Sequence, residues 1–200
     1  MIIGLTGFAG VGKDTVGAEL VRRGFKRLSF AGPLKELALE CDPIVGIERN
    51  GRWESVRLAS TVGEHGWDYA KFQTPDTRRF LQALGMGARR VFGEDFWVNQ
   101  VRDQIEFDEI HGIVGHYVVT DVRFPNEARM IKGYGQGYMV QIARPGYGPV
   151  NTHESEHPLP ANLIDTVVSN FGGLEKIPGL ADWILGDVAF IKAERIETRV

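Results

Sequence analysis

Cysteine is almost missing: Cys41 is the one thiol among 200 residues, so no intrachain disulfide can staple the fold and no cysteine-rich zinc site can organise it. Such thiol poverty suits a reducing cytoplasm. Long apolar runs are missing too. None approaches the roughly 20 residues that cross a bilayer, and the first residues show neither the charged nor the apolar region of a secretory signal, so a soluble intracellular chain with no membrane partner is expected. An excess of positive charge is the third absence. Lys and Arg total 23 against 26 Asp and Glu, for a formal net charge of −3 and a pI near 6.0. That balance provides no global field for a polyanion, which argues against direct binding of a nucleic-acid polymer and leaves mononucleotides open. Repeats and low-complexity segments are absent as well.

What is present suffices for a full core. With 43% hydrophobic and 10% aromatic residues, the chain fits one domain with room for an inserted subdomain. Its most telling stretch follows the apolar run Ile2-Ile3-Gly4-Leu5: Gly7-Phe8-Ala9-Gly10-Val11-Gly12-Lys13-Asp14-Thr15. Glycines let successive backbone N–H groups turn inward around phosphate oxygens, and the helix behind them presents its positive end to the same anion. Lys13 adds a point charge for the β- and γ-phosphates. A strand before and an amphipathic helix after distinguish this P-loop from an ordinary glycine turn, and Ala9 to Thr15 become the candidate ATP contacts.

Asp14 stands where most such loops have Ser or Thr, with the hydroxyl one place later at Thr15. A carboxylate facing a triphosphate is repulsive unless a cation intervenes, so Asp14 either faces Mg²⁺ and its water or turns away as a helix-start carboxylate. Adenylate kinases are similar in lacking the hydroxyl after the lysine and in carrying Thr next.

Further along, spacing predicts a helix from Lys13 to Arg23 ended by Gly24, with Val16, Gly17, Leu20 and Val21 on one face. A short strand over 26–30 and a helix from Pro33 follow, on which Leu34, Leu37, Ala38 and Cys41 share helical spacing, making Cys41 a core side chain. Between Asp42 and Gln73 the period weakens, and loops with short helices outside the main sheet are expected. Helices return from Thr77, with Phe80, Leu81, Leu84 and Ala88 inward and Arg78, Arg79, Arg89 and Arg90 flanking, and again over 96–107. Strands are expected over 116–122, 138–143 and 165–169, the first running into Asp121 and followed by a helix, the last preceding a terminal helical region. Alternation of this kind builds a parallel sheet covered on both faces, with ligands at the carboxyl ends of its strands. The loop at 7–15, Asp121 to Asn126, Arg144 and Asn170 all fall there.

Several segments together resemble the deoxynucleoside monophosphate kinases of tailed bacteriophages. They are Gly-Lys-Asp-Thr at 12–15, Leu28-Ser29-Phe30-Ala31 with Pro33-Leu34-Lys35, Arg78 through Trp97-Val98, Asp121-Val122-Arg123-Phe124-Pro125-Asn126-Glu127-Ala128, Arg144-Pro145, and His153-Glu154-Ser155-Glu156. The resemblance implies an α/β fold of the three-layer P-loop kinase type, with a central parallel sheet, a helical acceptor-binding insert and a lid loop. It divides the chain into a core of about 1–41 and 112–200, an insert of about 42–111 and a lid of about 145–162. It also implies transfer of the γ-phosphoryl of ATP to a deoxynucleoside monophosphate, with Mg²⁺, often in a homodimer. Met86-Gly87 departs from the family's Thr-Glu pair, so no contacts carry over at those two positions.

Candidate roles follow. Asp121, at a strand end, has the placement of a carboxylate holding Mg²⁺ through water, alongside Asp14 and Thr15, or else of a helix N-cap. Arg123 resembles the arginine that grips the acceptor phosphate in the Asp-Gly-Phe-Pro-Arg stretch of adenylate kinases, with a surface pair to Glu127 as the plainer reading. Arg78 and Arg90 are further acceptor-phosphate candidates, with Gln82 for sugar or base. Phe30 and Trp97 either stack on a base or fill core. Arg144 resembles a lid-side arginine that neutralises the migrating phosphoryl group. Glu154 is a substrate contact in the lid, and Asn170 either borders adenine or makes an ordinary turn. A kinase of another phosphorylated molecule, such as dephospho-coenzyme A, would share the phosphate-gripping parts. A noncatalytic nucleotide-binding module is the remaining alternative, and a GTPase is disfavoured because no guanine-reading Asn-Lys-x-Asp motif is present.

Overall fold

The computed structural model describes residues 1–49, 51–113, 115–150 and 152–197, without the side chains of 48, 49 and 191–197. Positions 50, within the expected insert, 151, within the expected lid, and 114 and 198–200, within the expected core, lie outside the described residues. The chain forms two compact units, one of residues 1–30 with 101–200 and one of residues 31–100. The sequence-based partition instead breaks at 41 and 112.

The first unit is built on a five-stranded parallel sheet. Its strands are β1 (Ile2–Thr6), β2 (Lys26–Leu28), β5 (Tyr117–Val119), β6 (Gly137–Ala143) and β7 (Thr166–Ser169), in the order β2-β5-β1-β6-β7. Central β1 is buried at every position, as a strand covered on both faces must be. Leu5 and Ile3 pack with Val16 and Leu20 of α1 (Lys13–Arg22) and with Ile177, Ala181, Ile184 and Val188 of α7 (Ile177–Glu197). On the opposite side Gly4 has no room for a side chain: a Cβ there would collide with Met139 and with Ile131 of α6 (Pro125–Gly133). β1 thus lies in the middle layer, and its neighbours on the two sides come from different crossovers, which leaves a crevice at its carboxyl end.

α1 stops as its sequence predicts. Gly24 takes φ +92, its N–H donates to the Val21 carbonyl at 2.9 Å, and the Phe25 N–H reaches back to Leu20 at 3.2 Å, a Schellman closure. Val21, however, is 40% exposed, and Glu19 is buried in its stead, paired with Arg22 and Arg23. Strands β2 and β5 are shorter than the apolar runs that signal them, because the chain leaves the sheet at Ser29 and at Thr120.

The second unit holds α2 (Ala31–Cys41), an antiparallel hairpin of β3 (Ile44–Arg49) and β4 (Arg52–Arg57), α3 (Leu58–Gln73) and α4 (Pro75–Phe92). Helix α5 (Phe96–Ile110) begins in this unit and ends in the other. Ala38, Val45, Leu58, Ala70 and Leu81 make its core, joined by Leu34, Phe80 and Leu84. Two expectations are corrected here. Residues 42–73 hold an antiparallel hairpin where loops are expected, followed by two short helical stretches that meet at a non-helical Gly66 (φ +81), so the short helices are as expected. Cys41 is exposed at the end of α2, since Ala38 and Leu34 already occupy the inward face. Among the described residues no helix is long and apolar enough to cross a membrane.

Candidate active site

The crevice at the end of β1 is filled by the glycine loop. Gly7, Gly10 and Gly12 take φ of +135, +80 and +102, a region that L side chains rarely enter. The space is restrictive too. A Cβ on Gly7 would strike the Ile142 carbonyl, one on Gly10 would lie 2.7 Å from the Tyr147 ring, and one on Gly12 would lie 2.6 Å from Nδ2 of Asn170. Asn170, 4% exposed just past β7, donates from Nδ2 to the Val11 carbonyl at 2.9 Å, while its backbone N–H continues the ladder to Ala143. Val11 itself is buried in the core, so only its main chain faces the loop interior, whereas Ala9 and Gly10 are exposed.

Lys13 starts α1 and is 9% exposed. Its Nζ donates to the carbonyls of Gly7 at 2.6 Å and Phe8 at 2.7 Å, across the loop. Burial, then the positive charge of Arg123, holds this ammonium below the usual lysine pKa of 10.5, while Asp14, Glu156 and Asp121 pull it back up. Asp14, in the first turn of α1, is paired with Arg27 of β2 and accepts from the Thr120 hydroxyl at 3.4 Å. Thr15 is half-buried beside it.

Asp121 lies two residues beyond β5. One of its oxygens accepts from the Ser29 hydroxyl at 2.7 Å and the other from the Phe30 N–H at 3.0 Å, so the carboxylate fastens the exit of β2. Phe30 is 4% exposed. The N-cap alternative for Asp121 is corrected, because Phe124 occupies that position and Glu127 closes the end of α6. Buried Glu127 accepts the N–H groups of Arg123 at 2.7 Å and Phe124 at 2.9 Å, which also removes the surface pair between Glu127 and the Arg123 guanidinium. That guanidinium reaches elsewhere. Nη1 of Arg123 donates to Oε1 of Glu156 at 2.7 Å and to the Ser155 carbonyl at 3.1 Å.

Arg144 follows β6 and rests on the Tyr147 ring, 5.2 Å from its centroid. Glu154, the carboxylate singled out in the sequence, is exposed, whereas Glu156 two residues on is the one turned to the arginine. A cleft beside the loop is lined by Thr6, Gly7, Arg123, Gln141, Glu156 and His157 among others. Thr6 and Gln141 are register partners on β1 and β6. Arg27, Glu156 and Tyr147 are the residues of this neighbourhood that sequence reasoning missed. For Tyr147 a signal existed in its place three residues after a strand-end arginine.

The remaining candidates belong to the second unit. Arg78 and Gln82 stand one turn apart on α4, Arg78 exposed and Gln82 half-buried, with Arg90 exposed near the helix end. Trp97 is 5% exposed, donates from Nε1 to the Gly85 carbonyl at 3.0 Å and meets Phe96 edge-on, so its indole packs against α4.

A parallel sheet whose central strand delivers a lysine-bearing glycine loop to the start of a helix defines a P-loop nucleotide-binding fold. Residues 70–179 match the deoxynucleotide monophosphate kinase family. A relative from Acanthamoeba polyphaga mimivirus, named for the same kinase, is 32% identical over 165 residues, 78% of this chain and 80% of its own. The deoxynucleotide monophosphate kinase of Escherichia phage RB69 is 30% identical over 109 residues, 54% of this chain and 44% of its own. The chain belongs to the deoxynucleotide monophosphate kinase family and is a phosphotransferase. Among solved structures, a dephospho-CoA kinase from Campylobacter jejuni aligns with 94% of this chain and 96% of that chain, at a TM-score of 0.47 and 13% identity.

Proposed function

We propose that the protein transfers the γ-phosphoryl of ATP to a deoxynucleoside monophosphate, yielding the diphosphate and ADP, and that it supplies nucleotides for phage DNA replication in the host cytoplasm. One observation carries this reading. The buried Lys13 ammonium donates to the Gly7 carbonyl at 2.6 Å, and Gly7 and Arg123 line one cleft, so cations for a donor and for an acceptor phosphate share one site. Phosphoryl transfer asks mainly for such positioning and charge neutralisation.

In this reading the main chain of Ala9 to Thr15 and Lys13 hold the triphosphate. Asn170 keeps the loop in shape next to the adenine. Arg123 grips the acceptor phosphate, Arg144 offsets charge on the migrating group, and Arg78, Gln82, Arg90 and Glu154 serve the acceptor nucleotide, while Phe30 and Trp97, both buried, contribute by packing rather than by stacking on the base. The insert of about 42–111 and the lid of about 145–162 are the parts that would carry acceptor selection and closure. The carboxylates suit Mg²⁺ shared with a nucleotide: Asp14 in the first turn of α1 accepts from the hydroxyl of Thr120, the residue before Asp121, which brings the two acids to one end of the sheet. A nucleotide-borne Mg²⁺ needs only one or two carboxylates, with phosphates and water completing its shell. Asp14, Thr15 and Asp121 would hold it, partly through water, and when bound it neutralises charge across the β- and γ-phosphates. The active species is proposed to be a homodimer.

The test is an acceptor panel. Purified protein with ATP and Mg²⁺ is offered each deoxynucleoside monophosphate, the ribonucleotides and dephospho-coenzyme A, and products are separated. At least one deoxynucleoside diphosphate is expected, and Lys13→Ala is expected to lower its formation at least about 100-fold, as removal of a charge that stabilises the transition state does. Transfer to none of the deoxynucleotides defeats the proposal.

A further inference from the structure

Glu156 ends a 3₁₀ turn, Glu154–Glu156, after the strand-end arginine Arg144. Only 9% of its side chain is exposed, a costly place for a carboxylate unless it is paired. Its Oε1 takes the Nη1 hydrogen bond of Arg123 at 2.7 Å, its Oε2 lies 3.4 Å from the Val150 N–H, and the Ser155 carbonyl takes a second bond from the same Nη1 at 3.1 Å. One nitrogen of the guanidinium is therefore held by two acceptors from a single turn. Nε and Nη2 of Arg123 have no hydrogen-bond partner among the described residues, and 38% of the side chain is exposed. Those two nitrogens form the side-on edge of the planar fork, the edge that takes a phosphate or carboxylate with two parallel hydrogen bonds.

We infer that Glu156 is a positioning residue for phosphoryl transfer, tethering Arg123 by Nη1 so that its Nε–Nη2 edge faces the acceptor phosphate. This rests on the assignment of Arg123 to the acceptor. A long arginine side chain loses considerable rotamer freedom when it binds, and a fixed guanidinium incurs that loss before the substrate arrives. Geometry opposes the reverse role, a latch that mimics the phosphate: Glu156 engages Nη1 and leaves the two-pronged edge open. Its negative charge has a second use, as one of the three carboxylates that counter the mutual repulsion of Lys13 and Arg123.

The test measures KM for ATP and for the best deoxynucleoside monophosphate in wild type, Glu156→Gln, Glu156→Ala, Arg123→Ala and the Arg123→Ala/Glu156→Ala double variant. Loss of a charge-assisted tether predicts an acceptor KM raised about tenfold in Glu156→Ala, with the ATP KM within about twofold. Glu156→Gln keeps an acceptor oxygen for Nη1 and should fall between wild type and Glu156→Ala; it carries the test if the alanine variant does not fold. Glu156→Ala should add nothing in the Arg123→Ala background. An unchanged or lowered acceptor KM, or an equal rise for both substrates, overturns the inference. Those outcomes leave the kinase reading intact provided wild type still makes the diphosphate, whereas an inactive wild type defeats that reading first.

Discussion

Asn170 illustrates how much of this site is held by groups that need not touch a substrate. Its buried amide bonds the carbonyl of Val11 in the middle of the glycine loop, and its Nδ2 packs where a Gly12 side chain would be. Asn170→Ala leaves that carbonyl without its partner, at a cost of about 1–3 kcal/mol. The expected result is a lower melting temperature together with a raised KM for ATP, read by thermal unfolding and steady-state kinetics; unchanged values for both would show that the brace is idle. Lys13, Asp121 and Arg123 stand out in the sequence because each follows an apolar strand run, and the structure places all three beyond the carboxyl ends of β1 and β5. Glu156 does not stand out. Two glutamates separated by one residue in an irregular loop have no period to say which turns inward, and the pattern points no less readily to the exposed Glu154. Arg27 was hidden for a related reason, since a three-residue strand offers too short an alternation to assign a partner.

At the level of elements, strand and helix order was readable wherever apolar period and punctuation agreed. α1 is such a case, and Gly24 allows a measurement. At φ +92, with no atom within 4 Å of where a Cβ would stand, Gly24→Ala meets no clash and tests the left-handed cap alone. A loss of about 1 kcal/mol in urea unfolding is expected, with both KM values unchanged. No loss at all would mean the Schellman closure is not what ends the helix. The hairpin β3–β4 went unread although Asn50-Gly51 is a strong two-residue turn signal. Glycines at 46, 51, 63 and 66 looked like breakers, and the strands alternate only weakly, with Val45 and Ile47 buried but Ile44 and Trp53 exposed. Local packing within the second unit, rather than residue preference, decides that segment.

For the whole molecule the pH response follows from two buried tyrosines of the sheet. Burial, with Asp108 adding its negative charge, pushes the Tyr117 phenol up to about 12, and burial with Asp187 raises Tyr138 further. A phenol whose pKa is higher folded than unfolded stabilises the fold fully below its ordinary value of 10.0 and loses that contribution as pH rises through the folded value. Unfolding free energy should therefore fall between about pH 10 and 12, and Tyr117→Phe should flatten part of the decline. Asp108 works at the other limb. Its hydrogen bond with Lys26, at 2.5 Å, holds its carboxyl below the usual value of 3.8, so this contribution is present above that pH and lost as pH falls through the lower folded value.

The central claim is a division of labour between the loop lysine for the donor and Arg123 for the acceptor. The most direct measurement is the pair of KM values in Arg123→Ala. Removing a bidentate charged group from the acceptor side alone predicts an acceptor KM at least about tenfold higher, with the ATP KM within about twofold of wild type. An equal weakening of both substrates, or a loss confined to ATP, would contradict the account.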